Sequence, residues 1–72
     1  MTNLGLYFAK KSINRSDVSR KTGISKTRLS ELSNNRKTQL RVNELYLISL
    51  AIDEDPCELL KEVCKDLKLP KG

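Results

Sequence analysis

A run of polar side chains directly after a glycine-containing turn is the part of this sequence best suited to hydrogen bonding. Gly23, Ile24 and Ser25 separate two short segments of helical spacing. Two helices joined by so short a turn cannot pack antiparallel, and they must cross at a steep angle. The second helix, from about Lys26, then turns one face towards solvent. The outer residues of that helix are Lys26, Thr27, Arg28, Ser30 and Glu31.

These outer side chains have the donors and acceptors needed to bind base edges or phosphates. A helix about 10–12 Å across fits the major groove of duplex DNA, whose width is similar. Lys26 can donate to guanine, Thr27 can contact a thymine methyl group, and Glu31 can accept from a cytosine amino group. The alternatives are an ion pair between Glu31 and Arg28, and simple solvation of each exposed cation. We expect a helix-turn-helix over about residues 15–35 that binds double-stranded DNA in a sequence-specific way.

The charge of the chain is divided unevenly along its length. Residues 1–41 contain ten Lys or Arg and two acids, a net charge of +8, whereas residues 42–72 contain four Lys or Arg and seven acids, a net charge of −3. Such asymmetry favours a nucleic acid or another polyanion as the partner of the basic half. Binding to RNA or to a membrane surface is the weaker alternative, because three aromatic residues give no stacking platform for single-stranded bases and no predicted helix combines a basic face with a broad apolar one.

Composition argues against an enzyme. The chain has no histidine, the commonest general base and metal ligand, and only three glycines, too few for a phosphate-binding loop. We expect no catalytic residue, no metal and no cofactor. Cys57 and Cys64 are seven residues apart on a predicted helix, about 10 Å, which is too far for a disulfide. We expect both as small buried hydrophobic residues, with redox sensing or an intermolecular bridge as the alternative.

Length and hydropathy predict one small cytoplasmic domain over residues 1–72. We see no signal peptide, and no apolar stretch approaches the ~20 residues that a membrane span needs. Apolar residues recur at helical spacing, and no stretch alternates long enough for a strand. The prediction is an all-α domain of five helices: one from Leu4 to near Lys11, then Arg15 to Lys21, Lys26 to Ser33, Val42 to Ile52, and a fifth from Pro56 to about residue 68.

The order of several short stretches resembles the helix-turn-helix proteins of the Cro/CI-repressor type, the XRE family. The resemblance is carried by Ile13 to Ser19, Thr22 to Ser25 and Leu29 to Asn34, with Leu45, Ile48 and Leu59 matching the later helices. It covers about residues 4–60 and implies a five-helix lambda-repressor-like domain. It also implies a protein that binds palindromic operator DNA, usually as a homodimer, and represses transcription.

The resemblance also implies where the DNA contacts fall. The base-reading positions are Lys26, Thr27 and Glu31, with Arg28 and Ser30 as further candidates. The positions that bind phosphates in the family fall on Asn14, Arg15, Asn34, Thr38 and Arg41. Ser25 is a further candidate for a phosphate contact, and Arg36 and Lys37 would add positive charge beside these positions.

Two departures from the family pattern generate further expectations. Many members carry an arginine and a glutamate, paired as ions, where this chain has Phe8 and Ser33, so we expect an apolar contact there and one phosphate contact fewer. Leu47 and Leu50 fall at positions that are commonly polar in the family, and with Tyr46 they would form an exposed apolar surface. We expect this surface to be covered by an extended fifth helix or by a second protomer. A partner protein is the alternative, which would make the chain an antitoxin that binds a toxin and regulates itself through DNA.

Overall fold

The computed structural model describes residues 1–70, and Lys71 and Gly72, the end of the expected domain, lie outside the described residues. The described part contains five α-helices and no strand, which confirms the expected all-α class. The helix ends agree with the sequence-based expectation to within one residue, except at the end of the fifth helix. The helices are α1 (Asn3–Lys10), α2 (Arg15–Thr22), α3 (Lys26–Asn34), α4 (Val42–Ala51) and α5 (Pro56–Val63).

Side-chain caps explain where α2, α3 and α5 begin, and α1 has such a cap as well. Asn14 Oδ1 accepts from the backbone N–H of Ser16 at 2.8 Å, at the start of α2. Ser25 Oγ accepts from the N–H of Arg28 at 3.1 Å and begins α3, and Asp55 caps α5 in the same way. Each cap satisfies an N–H group that has no partner inside its helix. The sequence therefore marks the starts of α2, α3 and α5 locally.

The turn between α2 and α3 depends on Gly23. Gly23 adopts the left-handed conformation at φ 80° and donates its N–H to the carbonyl of Ser19 at 2.9 Å, which ends α2. The Thr22 hydroxyl donates to the carbonyl of Val18 at 2.7 Å and accepts from the N–H of Ile24 at 3.1 Å. Glycine reaches this conformation without the steric cost that a Cβ imposes. The turn therefore leaves α2 and enters α3 in a defined direction.

The helices enclose one core, to which each of them contributes. Each helix packs against two others: α1 lies on α3 and α5, α2 lies on α3 and α4, and α4 lies on α5. This order closes a ring in which α3 and α4 are not neighbours. Tyr7 is part of the core, yet its hydroxyl donates to Glu54 Oε2 at 2.6 Å, and burial raises its pKa to about 12. The core consists of Leu4, Tyr7, Phe8, Val18, Leu29, Leu32, Leu45, Ile48 and Leu59.

The fifth helix is shorter than the sequence predicts, so the expected continuation to about residue 68 is wrong. The carbonyl of Val63 accepts from the side-chain amide of Asn3 at 3.2 Å. The same amide donates to Asp66 at 3.0 Å, and the N–H of Leu67 turns back to the carbonyl of Cys64 at 2.9 Å. A tight turn thus replaces the next helical turn. The end of α5 is determined by a residue at the other end of the chain.

The outer face of α5 also corrects the expectation for the cysteines. Cys57 is exposed and Cys64 is only half-buried, so they are not the buried hydrophobic residues that we expected. Leu59 is the fully buried residue of α5, and Cys57 lies two residues away, roughly 200° around the helix axis. Leu60, about 100° from Leu59 around the same axis, is half exposed. One narrow face of α5 therefore covers the core.

The contact between α1 and the end of α3 is close and contains no charged pair. Phe8 and Ser33 are both buried, and the Ser33 hydroxyl donates to the carbonyl of Leu29 at 2.8 Å. The Thr2 hydroxyl donates to the carbonyl of Leu32 at 2.7 Å. A Cβ added to Gly5 would collide with the backbone carbonyl of Ser33. Gly5 is thus the residue that permits this approach.

We expect Gly5→Ala to destabilise the fold, because backbone atoms cannot move aside as a flexible side chain would. Overpacking of this kind costs about 1–3 kcal/mol. The free energy of unfolding, measured by urea denaturation, reports the change. Leu6→Ala, at the exposed neighbouring position of α1, is the control and should change it little. A Gly5→Ala protein as stable as the wild type would contradict the close approach.

Candidate nucleic-acid interface

The solvent-facing side of α3 carries an uninterrupted set of polar side chains. Thr27, Glu31 and Asn34 are spaced by four and three residues, which places them on one face opposite Leu29. Leu29 is fully buried, so its position fixes which side of the helix faces out. All the polar members of this face are exposed. We call Lys26, Thr27, Ser30, Glu31 and Asn34 the outer row of α3.

Hydrogen bonds within α3 order two members of the outer row. The side-chain amide of Asn34 donates to the carbonyl of Ser30 at 3.0 Å. The amide of Asn35 donates to Glu31 Oε2 at 3.3 Å. The alternative ion pair between Glu31 and Arg28 does not form, because the guanidinium of Arg28 points the other way. Glu31 therefore keeps its second carboxylate oxygen towards solvent.

Arg28 is the candidate whose surroundings differ most from the expectation. Its Nε donates to Glu44 Oε2 and its Nη2 to Glu44 Oε1, both at 2.9 Å. Nη2 also donates to the carbonyl of Gln39 at 2.9 Å. Arg28 lies on the side of α3 that faces the start of α4. Its guanidinium group therefore points to the carboxylate of Glu44 and away from the outer row. No local pattern predicts this pair, because its partners are 16 residues apart.

The ion pair is largely shielded from water. The side chain of Glu44 is 10% exposed and that of Arg28 is 30% exposed. The hydrogen bond from Arg28 lowers the pKa of Glu44, with a smaller contribution from the backbone N–H of Arg41, and burial opposes both. The same pair raises the pKa of Arg28. Both groups are therefore ionised at neutral pH.

The expected phosphate-binding residues belong to two separate segments of the chain. Asn14 and Arg15 stand at the start of α2, where the carbonyl oxygen of the Asn14 side chain is occupied by the helix cap and its amide is the group that can donate. The second segment, the loop between α3 and α4, carries three exposed cations. No ion pair within residues 1–70 involves Arg15 or the three loop cations. Those three loop residues are Arg36, Lys37 and Arg41.

The remaining phosphate-binding candidates have local structural roles. Ser25 caps α3 through its oxygen, which leaves its hydroxyl proton available to a phosphate. Thr38 is half-buried, and its N–H donates to the carbonyl of Asn35 at 3.1 Å. Asn35 Oδ1 accepts from the N–H of Lys37 at 3.0 Å. Asn35 therefore organises the first half of the loop.

The apolar surface of α4 is bare in the described part of the chain. Tyr46, Leu47 and Leu50 are 54%, 39% and 58% exposed. The expected cover by the C-terminal segment is wrong, because α5 ends early and the side chains of Leu67 and Leu69 are themselves exposed. The surface is therefore open to another molecule.

Two kinds of site are not found among residues 1–70. No cluster of three or more Cys, Asp or Glu side chains is arranged to hold a metal ion. None of the helices has the length and apolar character required to cross a membrane. The outer row of α3 combines donors and acceptors with exposed cations in the loop that follows it.

Comparison with protein families agrees with this geometry. Residues 3–65 match the Cro/C1-type HTH DNA-binding domain. The match spans most of the chain, which therefore belongs to this family of DNA-binding domains. The comparisons with curated proteins and with solved structures gave no significant match.

Protonation of Glu44 is expected to weaken the fold in acid. Its pKa is lowered in the folded state from an ordinary value of 4.5, so the stabilisation is complete above that pH and is lost as the pH falls below it. Denaturation midpoints measured from pH 6 down to about pH 3 should fall less in Glu44→Gln than in the wild type. Equal slopes in the two proteins would contradict the role of the ion pair.

Proposed function

We propose that this protein is a cytoplasmic, non-enzymatic transcriptional repressor that occupies a specific operator in double-stranded DNA. The observation that carries the proposal is the outer row of α3, which stands exposed behind the Gly23 turn with exposed cations beside it. An exposed helix of this kind enters the major groove, where each base pair presents a distinct pattern of donors and acceptors. Repression follows from occupancy of a promoter.

Base recognition is assigned to four members of the outer row. Lys26 donates to the O6 or N7 of guanine, and Glu31 accepts from the amino group of cytosine. Thr27 contacts the methyl group of thymine, and Ser30 bonds to either type of edge. Glu31 is the acidic member of the row, so a sequence that offers it no cytosine is repelled. This residue therefore contributes to specificity by rejecting other bases.

Phosphate contacts hold α3 in register on the duplex. Asn14 and Arg15 bind one backbone from the start of α2, where the helix dipole also favours an anion. The α3–α4 loop binds the backbone on the other side of the groove. The contacts on that side are assigned to Asn34, Arg36, Lys37, Thr38 and Arg41, with Ser25 adding a hydroxyl at the start of α3.

A second copy of the chain is the proposed cover for the apolar surface of α4. Tyr46 and Leu50 are four residues apart, and Leu47 lies beside them, so the three form one face. Exposed apolar patches of this kind mark interaction surfaces. A homodimer would place two α3 helices about 34 Å apart in successive major grooves, which requires a palindromic operator.

Binding-site selection from random duplex DNA tests the proposal. Lys26→Ala is expected to change the preferred base at one position of each half-site, since it removes a base contact. Arg15→Ala is expected to weaken all sequences alike and to reduce the slope of log affinity against log salt by about 0.9. Lys68→Ala, an exposed lysine of the acidic half, is the control and should change neither. An unchanged motif in Lys26→Ala would contradict the assignment of the outer row.

The dimer is tested by the mass of the protein in solution and on DNA. The wild type is expected at twice the 8.2 kDa of one chain, and Leu47→Lys with Leu50→Lys at the mass of one chain. Leu69→Lys, at an exposed apolar residue outside the surface, is the control. A wild type that is monomeric alone and on a palindromic duplex would contradict the dimer. Such a result would favour a different protein as the partner of α4, as the antitoxin hypothesis requires.

A further inference from the structure

We propose that Arg28, although it belongs to the recognition helix, is a positioning residue that ties the α3–α4 loop to α3. Through this tie the cations of the loop face the same stretch of DNA as the outer row. The inference rests on the proposed function, because it concerns how the same interface is held together. Arg28 is then not a base-reading residue, and Glu44 and Gln39 are the residues that it binds to hold the interface together.

Four polar groups meet at this point. The guanidinium of Arg28 binds both oxygens of the Glu44 carboxylate and the carbonyl of Gln39, all at 2.9 Å. The backbone N–H of Arg41 donates to Glu44 Oε1 at 3.0 Å. We call this group the Arg28–Glu44 junction. It joins Arg28, in the first turn of α3, to Gln39 and Arg41 at the end of the loop.

The junction matters because the helices alone do not make this connection. The backbones of α3 and α4 do not approach each other closely, whereas each of them lies against α2. Asn35 fixes the beginning of the loop at the C-terminal end of α3. The Arg28 side chain spans the remaining gap to the end of the loop, near the N-terminal end of α3.

The chemistry of the junction requires an arginine. A guanidinium is planar and presents parallel donors that match both oxygens of a carboxylate, while a further N–H remains for a carbonyl. A lysine at this position has one ammonium group and cannot make this planar arrangement. If Arg28 turned towards a base instead, the carboxylate of Glu44 would be left nine-tenths buried without its counter-ion. The geometry therefore opposes direct base reading by Arg28.

The experiment compares Arg28→Met and Arg28→Lys with the wild type on the selected operator and on an unrelated duplex. We expect Arg28→Met to weaken both duplexes by the same factor and to leave the selected motif unchanged. The salt slope should fall by about 0.9 for each loop phosphate contact that is lost. Arg28→Lys should resemble Arg28→Met, because the charge is kept and the planar fork is not.

A double-mutant cycle with Arg41→Ala separates positioning from simple loss of stability. Once Arg28→Met has released the loop, Arg41→Ala should cost less affinity than it does in the wild type. The cycle should depart from additivity by more than about twofold, the range within which independent sites add. Tyr7→Phe is the control: it removes the Tyr7–Glu54 hydrogen bond, and it should leave the salt slope unchanged at equal folded fraction. If Arg28→Met does not fold, Glu44→Gln replaces it in the cycle.

The outcomes are distinct. A motif altered at one base, or an additive cycle with an unchanged salt slope, would overturn the inference and leave the proposed function intact. A wild-type protein without salt-dependent, sequence-selective binding to duplex DNA would instead contradict the proposed function itself. Uniform weakening with a reduced slope and a non-additive cycle supports the positioning role.

Discussion

The burial of Leu29 is the constraint on which the interface depends. This side chain is fully buried, with Leu32 and Ser33 beside it, so α3 cannot rotate about its axis without exposing apolar surface. Each 100° of rotation would move a different residue into the core and a different set of polar groups to the outside. The identity of the outer row therefore follows from packing on the opposite side of the same helix. No further interaction is needed to expose the outer row to DNA.

Polar cross-links then fix α3 at both ends. Near its C-terminal end, the Thr2 hydroxyl binds the carbonyl of Leu32, and Gly5 allows α1 to approach closely. Near its N-terminal end, Arg28 reaches Glu44 at the start of α4. Many Cro/CI-type proteins have an ion pair at the two positions that Phe8 and Ser33 occupy here. In this chain those positions are buried without charge, and the ion pair of α3 lies at its other end.

The sequence predicted what local chemistry determines and missed what distant residues determine. The starts of α2, α3 and α5 were predictable because Asn14, Ser25 and Asp55 cap their own helices. The early end of α5 was not, because it depends on Asn3, some 60 residues away. The outer row of α3 followed from helical periodicity. Helical periodicity does not separate the side of a helix that faces a neighbouring helix from the side that faces solvent. Arg28 was therefore grouped with the outer row, although its partner lies on α4.

The charge distribution gives the interface a direction. The first 41 positions, which include α3, carry the excess of basic residues, whereas the two acids of α5, Glu58 and Glu62, form exposed pairs with Lys61 and Lys65. Exposed pairs of this kind add little stability, but they keep α5 from adding positive charge. A domain charged in this way is turned by the field of a polyanion before contact, with its basic half leading. Because the same half contains the outer row, electrostatic approach and base recognition use one face, and the apolar surface of α4 lies in the half that the duplex does not attract.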